Sequence, residues 1–195
     1  MHCRTKSLVN HPPRIQAVIL AGGLGRRMGG RDKGLIPLAG KPLVAHVLAA
    51  VAPQVDAVSI NTPNPDYGRF GLPLLDDAFP DRAGPLAGIL AALETSEADL
   101  VLSVPCDTPR LPTDLVARLL AGLDDHEACA AADEARAHPV IALWRPALAG
   151  RLRAYLESGE RRVGRWLAGL DHAWVRFDAA ALANANTPDD LERLG

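Results

Sequence analysis

Short apolar runs alternate with segments of helical period from residue 15 to the end of the chain. "IQAVIL" (15–20) is rich in branched residues and runs into glycine, which predicts a buried strand. "KPLVAHVLAAV" (41–51) spaces its apolar residues for a helix, with Pro42 where a first turn tolerates it. "VDAVSIN" (55–61) and "LPLLDD" (72–77) read as a second and a short third strand. "GPLAGILAALETS" (84–96) reads as an apolar helix, and "DLVLSVPCD" (99–107) as a strand stopped by a proline and an acid. "LPTDLVARLLAGL" (111–123) predicts an amphipathic helix starting near Pro112 or Thr113. "HPVIALW" (138–144) and "AWVRF" (173–177) read as strands, separated by the helix "PALAGRLRAYLES" (146–158). "NTPDDLERL" (186–194) opens a last helix, with Thr187 as N-cap, Pro188 in the first turn and acids beside it.

Nearly continuous apolar strands between helices predict an α/β fold: a single three-layer α/β/α domain whose mostly parallel sheet is covered on both faces. Residues 1–14, closed by Pro12 and Pro13, are expected to form a disordered leader before a single domain over 15–195. In such sheets ligands bind outside the carboxyl ends of the strands, where the strand order reverses. The polar residues that close each strand therefore gain weight.

A length of 195 residues with 48% hydrophobic content suits one well-buried core and is short for two. A formal charge of −2 argues against a general nucleic-acid or membrane-surface binder. No run approaches a membrane span, and the N-terminus is not a signal peptide. Cys3, Cys106 and Cys129 are widely spaced with no CxxC pair, which suits a reducing compartment and gives no zinc site. The expectation is a soluble, cytoplasmic protein with no nucleic-acid or membrane partner.

Positive charge is instead local. In "AVILAGGLGRRMGGRDKGL" (17–35), Gly22, Gly23 and Gly25 leave backbone amides free to approach an anion. A ligand-free strand-to-loop turn would use the same glycines, but clustering Arg26, Arg27, Arg31 and Lys33 costs mutual repulsion unless a counter-charge arrives. A dinucleotide fingerprint fails because Met28 stands where the third glycine is needed, and a Walker loop fails because Arg31 and Asp32 follow Gly30.

What does match is the opening signature of nucleotidyltransferases of the sugar-phosphate and cofactor type: Leu20-Ala21-Gly22-Gly23, Arg27-Met28-Gly29, then Lys33-Gly34-Leu35. "GKPLVAHV" (40–47), "DRAGPLAG" (81–88), "PCDTP" (105–109), "HPVIAL" (138–143), "GERRV" (159–163) and "NANTPDDL" (184–191) follow in order. With these segments the chain resembles the molybdenum cofactor guanylyltransferase family, MobA, over about residues 15–194. The resemblance implies a Rossmann-like sheet of the nucleotide-diphospho-sugar transferase kind. It also implies transfer of GMP from GTP to the terminal phosphate of molybdopterin, with Mg²⁺ (Mn²⁺ as an alternative) and loss of pyrophosphate. Other cofactor-biosynthesis proteins and molybdoenzyme chaperones are the further partners it suggests.

Matched residue by residue, the family's nucleotide site falls on Leu20, Ala21, Gly22, Gly23, Lys33, Asn61, Asp77 and Asp107, in the N-terminal part. Asp107 matches the metal carboxylate, and Lys33 with Arg27 would neutralise charge on the transferring phosphate. The molybdopterin site falls in the C-terminal part, on His138, Arg161, Arg162, Asn184 and Asn186. "GPLAG" would lie near the guanine, with tight helix–sheet packing as its other use.

Each residue also has an ordinary use. A strand-end Asp followed by Thr108 and Pro109 forms turns, and Asn61, Asn184 and Asn186 can cap or turn. Of Asp76 and Asp77 only one can point toward a given site, because adjacent strand residues alternate. His138 can be a structural histidine, "GERRV" a solvated basic turn, and Cys106 plain packing. No Ser/His/Asp triad stands out among the six histidines. None is required, since a phosphate monoester with a second pKa of about 6 is ionised at neutral pH. A cytidylyltransferase acting on the same pterin, another small nucleotidyltransferase and a non-catalytic GTP-binding delivery module remain as alternatives. Lys33, Asp77 and Asp107 together favour chemistry over mere binding.

Overall fold

Branched side chains facing both ways put β1 (Ile15–Leu20) at the centre of the sheet. Ile15, Ala17 and Ile19 enter the hydrophobic cluster on one face, and Val18 and Leu20 the cluster on the other. A strand buried on both sides needs helices on both sides. Each Val, Ile or Leu so buried contributes roughly 1.5–3 kcal/mol. A computed structural model of the chain describes residues 11–22, 32–79 and 84–194; most of the expected leader (residues 1–10), together with Gly23 and Arg27, lies outside these.

After β1 come the two-residue strands β2 (Pro37–Leu38) and β3 (Lys41–Pro42), then α1 (Leu43–Val51), β4 (Ala57–Asn61) and β5 (Leu74–Leu75). Next are α2 (Pro85–Thr95), β6 (Leu100–Pro105), α3 (Leu115–Leu123), β7 (Ala128–Ala132) and β8 (Ala137–Trp144). The chain closes with α4 (Ala149–Glu157), α5 (Val163–Ala168), β9 (His172–Arg176) and α6 (Pro188–Leu194). Helices α1 and α3 cover one face through Val44, Val47, Val51, Leu115 and Leu119. Helices α2, α4 and α5 cover the other through Leu86, Ile89, Leu90, Leu152, Leu156, Trp166 and Leu167. The expected α/β architecture is the one observed.

The sheet runs β5-β4-β1-β6-β8-β7-β9. Its pairings are parallel except those of β8, which is antiparallel to β6 and β7. The reversal has a local cause. A tight turn joins β7 to β8, in which the Asp133 carboxylate accepts the Ala135 and Arg136 amides at 2.7 Å, and so short a link allows only antiparallel pairing.

The hydrophobic pattern did not predict β7. "ACAAA" carries little intrinsic strand preference, and the segment is extended because β8 and β9 pair with it on both sides. The pattern likewise does not mark α5. Helix α1 starts at Leu43 rather than residue 41, because Lys41 and Pro42 pair with Leu38 and Pro37. Helix α3 starts at Leu115, and the third strand shrinks to two residues. The last helix opens as expected. The Thr187 hydroxyl accepts the Asp190 amide while the Asp190 carboxylate accepts the amides of Asn186 and Thr187, a reciprocal cap. Among the described residues no helix is long and apolar enough to cross a membrane.

Candidate active site

The strand order reverses at β1: the chain moves out through β4 and β5, then returns to place β6 on the other side. The crevice at the carboxyl ends of β1 and β6 is where such sheets take ligands. Register brings Leu20 level with Asn61 on one side and Pro105 on the other, so the residues that follow each strand meet. The Cys106 amide donates to the Leu20 carbonyl (3.1 Å), and the Ala21 amide donates to the Asn61 carbonyl (2.8 Å). That second bond uses up the Ala21 amide, so an anion cradle of backbone amides cannot include it. Gly22, exposed, is the first described position available for one.

Lys33 lies in a short 3-10 turn, Lys33–Leu35. Its ammonium pairs with Asp107 Oδ2 and donates to Asn186 Oδ1 at 2.5 Å. Asp107 is only 8% exposed, and its Oδ1 is buried with no hydrogen-bond partner among the described residues. The C-terminal segment is fastened alongside: the Ala185 amide donates to the Asp107 carbonyl (2.8 Å), and the Thr108 hydroxyl to Asn184 Oδ1 (3.2 Å). Residues far apart in sequence thus converge on Lys33, Asp107 and Thr108.

A bare carboxylate oxygen in a dry setting is costly unless something positive or hydrogen-bonding reaches it. This one fits a hard divalent cation such as Mg²⁺, which commonly takes one or two carboxylates and completes its shell with waters and substrate phosphates. Among the described residues no group of three or more His, Cys, Asp and Glu side chains converges as a metal cage.

Beside this centre, Asn61 is buried and aimed by two bonds. Its Nδ2 donates to the Leu75 carbonyl (3.1 Å) and to Asp77 Oδ1 (3.0 Å). Asp77 and Asp76 are both exposed, and Asp77 is the one joined to Asn61. Gly88, in the first turns of α2, has no room for a side chain: a Cβ there would overlap Asn61 Oδ1 and crowd Leu20. The "GPLAG" glycine therefore serves close packing against the strand ends. Burial first, and the neighbouring Asp107 carboxylate second, push the Cys106 thiol far above its ordinary range, so it stays protonated and packs.

The residues expected on the acceptor side are placed differently. His138 is buried, and its Nε2 lies 2.8 Å from Asp133 Oδ2. The His138 hydrogen bond first, then the Arg136 and Ala135 amides, hold the Asp133 carboxyl down at about 2 against the opposing effect of burial. Arg161 donates to the carbonyls of Leu156 (2.6 Å) and Glu160 (2.7 Å), and its guanidinium lies over the Phe79 ring, 5.2 Å from the centroid. Arg162 is exposed and serves α5 as its N-cap position. Asn186 accepts from Lys33 and Asn184 from the neighbouring Thr108, whereas among the described residues His138 bonds Asp133 and Arg161 bonds main-chain carbonyls.

The family model for the MobA-like NTP transferase domain matches residues 17–173. The chain belongs to this family. A molybdenum cofactor guanylyltransferase from Shewanella loihica is 44% identical over 190 residues, covering 93% of this chain and 96% of the relative. Another, from Shewanella halifaxensis, is 40% identical over 188 residues, covering 93% and 94%. The crystal structure of molybdopterin-guanine dinucleotide biosynthesis protein A from Archaeoglobus fulgidus shares the fold, with a TM-score of 0.76 at 23% identity, covering 91% of this chain and 95% of that one.

In this MobA-like transferase, sequence reasoning overlooked Asp32, Asn64, Tyr67 and Asp133. Tyr67 is fully buried and donates to Asp32 Oδ1 at 2.5 Å, while Asn64 Nδ2 donates to Asp32 Oδ2 at 2.9 Å. A signal for the first three existed. Asp32 immediately precedes Lys33, and Tyr67 is an aromatic in a chain with few, set in a loop of Pro, Asn and Gly. Asp133 closes a strand that the hydrophobic pattern does not reveal, so its strand-end position carried no weight.

Proposed function

We propose that this chain transfers GMP from GTP to the terminal phosphate of molybdenum-molybdopterin, forming the guanine dinucleotide form of the cofactor and releasing pyrophosphate. The observation that carries the reading is the Lys33–Asp107 pair at the β1/β6 crevice, with one buried carboxylate oxygen that has no partner among the described residues. The choice of guanine and pterin is supported by the curated relatives, which are named molybdenum cofactor guanylyltransferases.

In this reaction a phosphate oxygen of the acceptor forms a bond to the α-phosphorus of GTP, and the bond from that phosphorus to the β-phosphate oxygen breaks. The attacking monoester is already ionised near neutral pH, so no side chain need remove a proton. The obstacle is repulsion between two anions, and positioning with charge neutralisation lowers it. Lys33 supplies an ammonium at the crevice and Arg27 a second positive charge. Gly22 and Gly23 let the backbone approach the phosphates, Leu20 and Ala21 shape the strand end, and Asn61 with Asp77 orients the nucleoside. Asp107 Oδ1 would hold Mg²⁺, which when bound supplies further neutralisation of phosphate charge. Asn184 and Asn186 place the acceptor against the same centre, and Arg162, Arg161 and His138 lie toward the rest of the pterin.

The N-terminal part of a single domain over 15–195 would thus hold GTP and metal, and the C-terminal part the pterin. The product would pass in the cytoplasm to further biosynthesis proteins or molybdoenzyme chaperones. Incubation with Mg²⁺, GTP and molybdenum-molybdopterin, with pyrophosphate release followed and the pterin product weighed by mass spectrometry, tests the reading. The guanine dinucleotide is expected. Faster turnover with CTP would overturn the choice of base, and GTP binding without product would replace the enzyme by a delivery module.

A further inference from the structure

The turn that carries Lys33 is gripped by side chains with no part in the reaction as described. Asp32 is its N-cap: Oδ1 accepts the Gly34 amide (3.2 Å) and the Tyr67 hydroxyl (2.5 Å), and Oδ2 accepts Asn64 Nδ2 (2.9 Å). Asn64 ties two turns together, because its Oδ1 also accepts the Asp66 amide at the start of the 3-10 segment Pro65–Phe70, which carries Tyr67. Tyr67 is fully buried, and burial above all pushes its hydroxyl far up in pKa, so it remains a donor. Gly34 is pressed from two sides. A Cβ there would overlap the Tyr67 hydroxyl and meet Cys106 Cβ and Sγ at 3.2 Å. The backbone beside Lys33 is therefore wedged between Tyr67 and the residue preceding Asp107.

We infer that Asp32, held by Tyr67 and Asn64, is a positioning residue that fixes the Lys33 turn so that the ammonium reaches Asp107 and Asn186. The inference deepens the function proposed above and rests on it for its kinetic consequence. Lysine is a point charge on a flexible four-carbon stem, so its aim depends on where its backbone is anchored. Displacement of about 1 Å at a charge-neutralising group costs up to ~10²-fold in rate. Asp32 acts through the anchor and touches no substrate.

The chain has three lysines, Lys6, Lys33 and Lys41, so lysine labelled with ¹³C at Cε gives few NMR signals, and Lys33→Ala identifies one of them. Tyr67→Phe, which keeps the ring, and Asp32→Asn are each expected to move the Lys33 signal toward that of an exposed lysine. Each should lower kcat about tenfold and leave the KM for GTP within about twofold. In the Lys33→Ala background the same substitutions should change kcat less than about twofold, since the group they act through is gone. An unmoved Lys33 signal in both variants, or an equal loss of kcat in the Lys33→Ala background, overturns the inference. If Asp32→Asn does not fold, Tyr67→Phe decides alone. A wild-type chain inactive with GTP and pterin would sink the proposed reaction only, and the Lys33 signal would still decide this point.

Discussion

The two ends of the binding edge solve opposite problems. At the β1/β6 crevice, polar groups converge and, among the described residues, stay partly unsatisfied: Asp107 has one buried oxygen without a partner there, and Lys33 spans from the strand end to the C-terminal segment. Around β7 and β8 the charged groups satisfy one another, while in α5 the buried Trp166 Nε1 has no hydrogen-bond partner among the described residues. Asp133 accepts from two amides and pairs with His138, and the Arg161 Nη1 donates to two main-chain carbonyls. A site of the kind proposed, for a polyanion and a cation, would hold charges that only those ligands complete. A wall that shapes a pocket folds best when its charges are already paired.

The contrast is sharpest at Lys33. Lys33→Ala should lower kcat by about 10²-fold or more, measured as pyrophosphate release. It should also cost folding about 1–3 kcal/mol in urea, because the Asp107 carboxylate stays buried without its cation. Adding Mg²⁺ should restore part of that stability and raise Tm more in the variant than in the wild type. A variant whose Tm ignores the metal would break the claim that Asp107 waits for a cation.

Gly88→Ala comes next. The new methyl overlaps Asn61 Oδ1, so the amide must leave its bonds to Leu75 and Asp77. Overpacking of this kind costs about 1–3 kcal/mol. GTP affinity, measured by calorimetry, should fall about tenfold with it. Unchanged affinity would mean that Asn61 is structural and the nucleoside is oriented elsewhere.

On the self-paired side, the two arginines should separate. Arg161→Ala is expected to lower stability by about 1 kcal/mol, through two lost hydrogen bonds and the Phe79 contact. Arg162→Ala should leave Tm unchanged and raise the KM for the pterin several-fold. The reverse pattern would move the acceptor phosphate onto Arg161.

The smallest effect lies at Asp133. Its carboxyl titrates at about 2 in the folded chain against an ordinary 3.8, so its contribution is complete above about pH 4 and is lost as pH falls through 2. Asp133→Asn should therefore flatten stability between pH 4 and 2, as followed by circular dichroism, with the difference from wild type largest above pH 4. Identical acid-unfolding curves would remove the Asp133–His138 pair from the self-satisfied wall.

Local pattern determined much of this protein. Apolar runs of strand length separated by helical periods specify a covered, mostly parallel sheet, because burial on both faces leaves no polar alternation to confuse the reading. The glycine-rich stretch after β1 and the acid after β6 were visible for the same reason, since strand ends are where such a sheet exposes its backbone. Tertiary structure alone decided the rest. Alanine-rich β7 becomes a strand only because β8 and β9 pair with it, and that pairing brings Asp133 to His138. Lys33, Asp107 and Asn186 are separated by 74 and then 79 residues, and no local rule joins them. Hydrophobic periodicity records which way each side chain faces, whereas a charge left bare or paired depends on which distant segments the fold brings beside it.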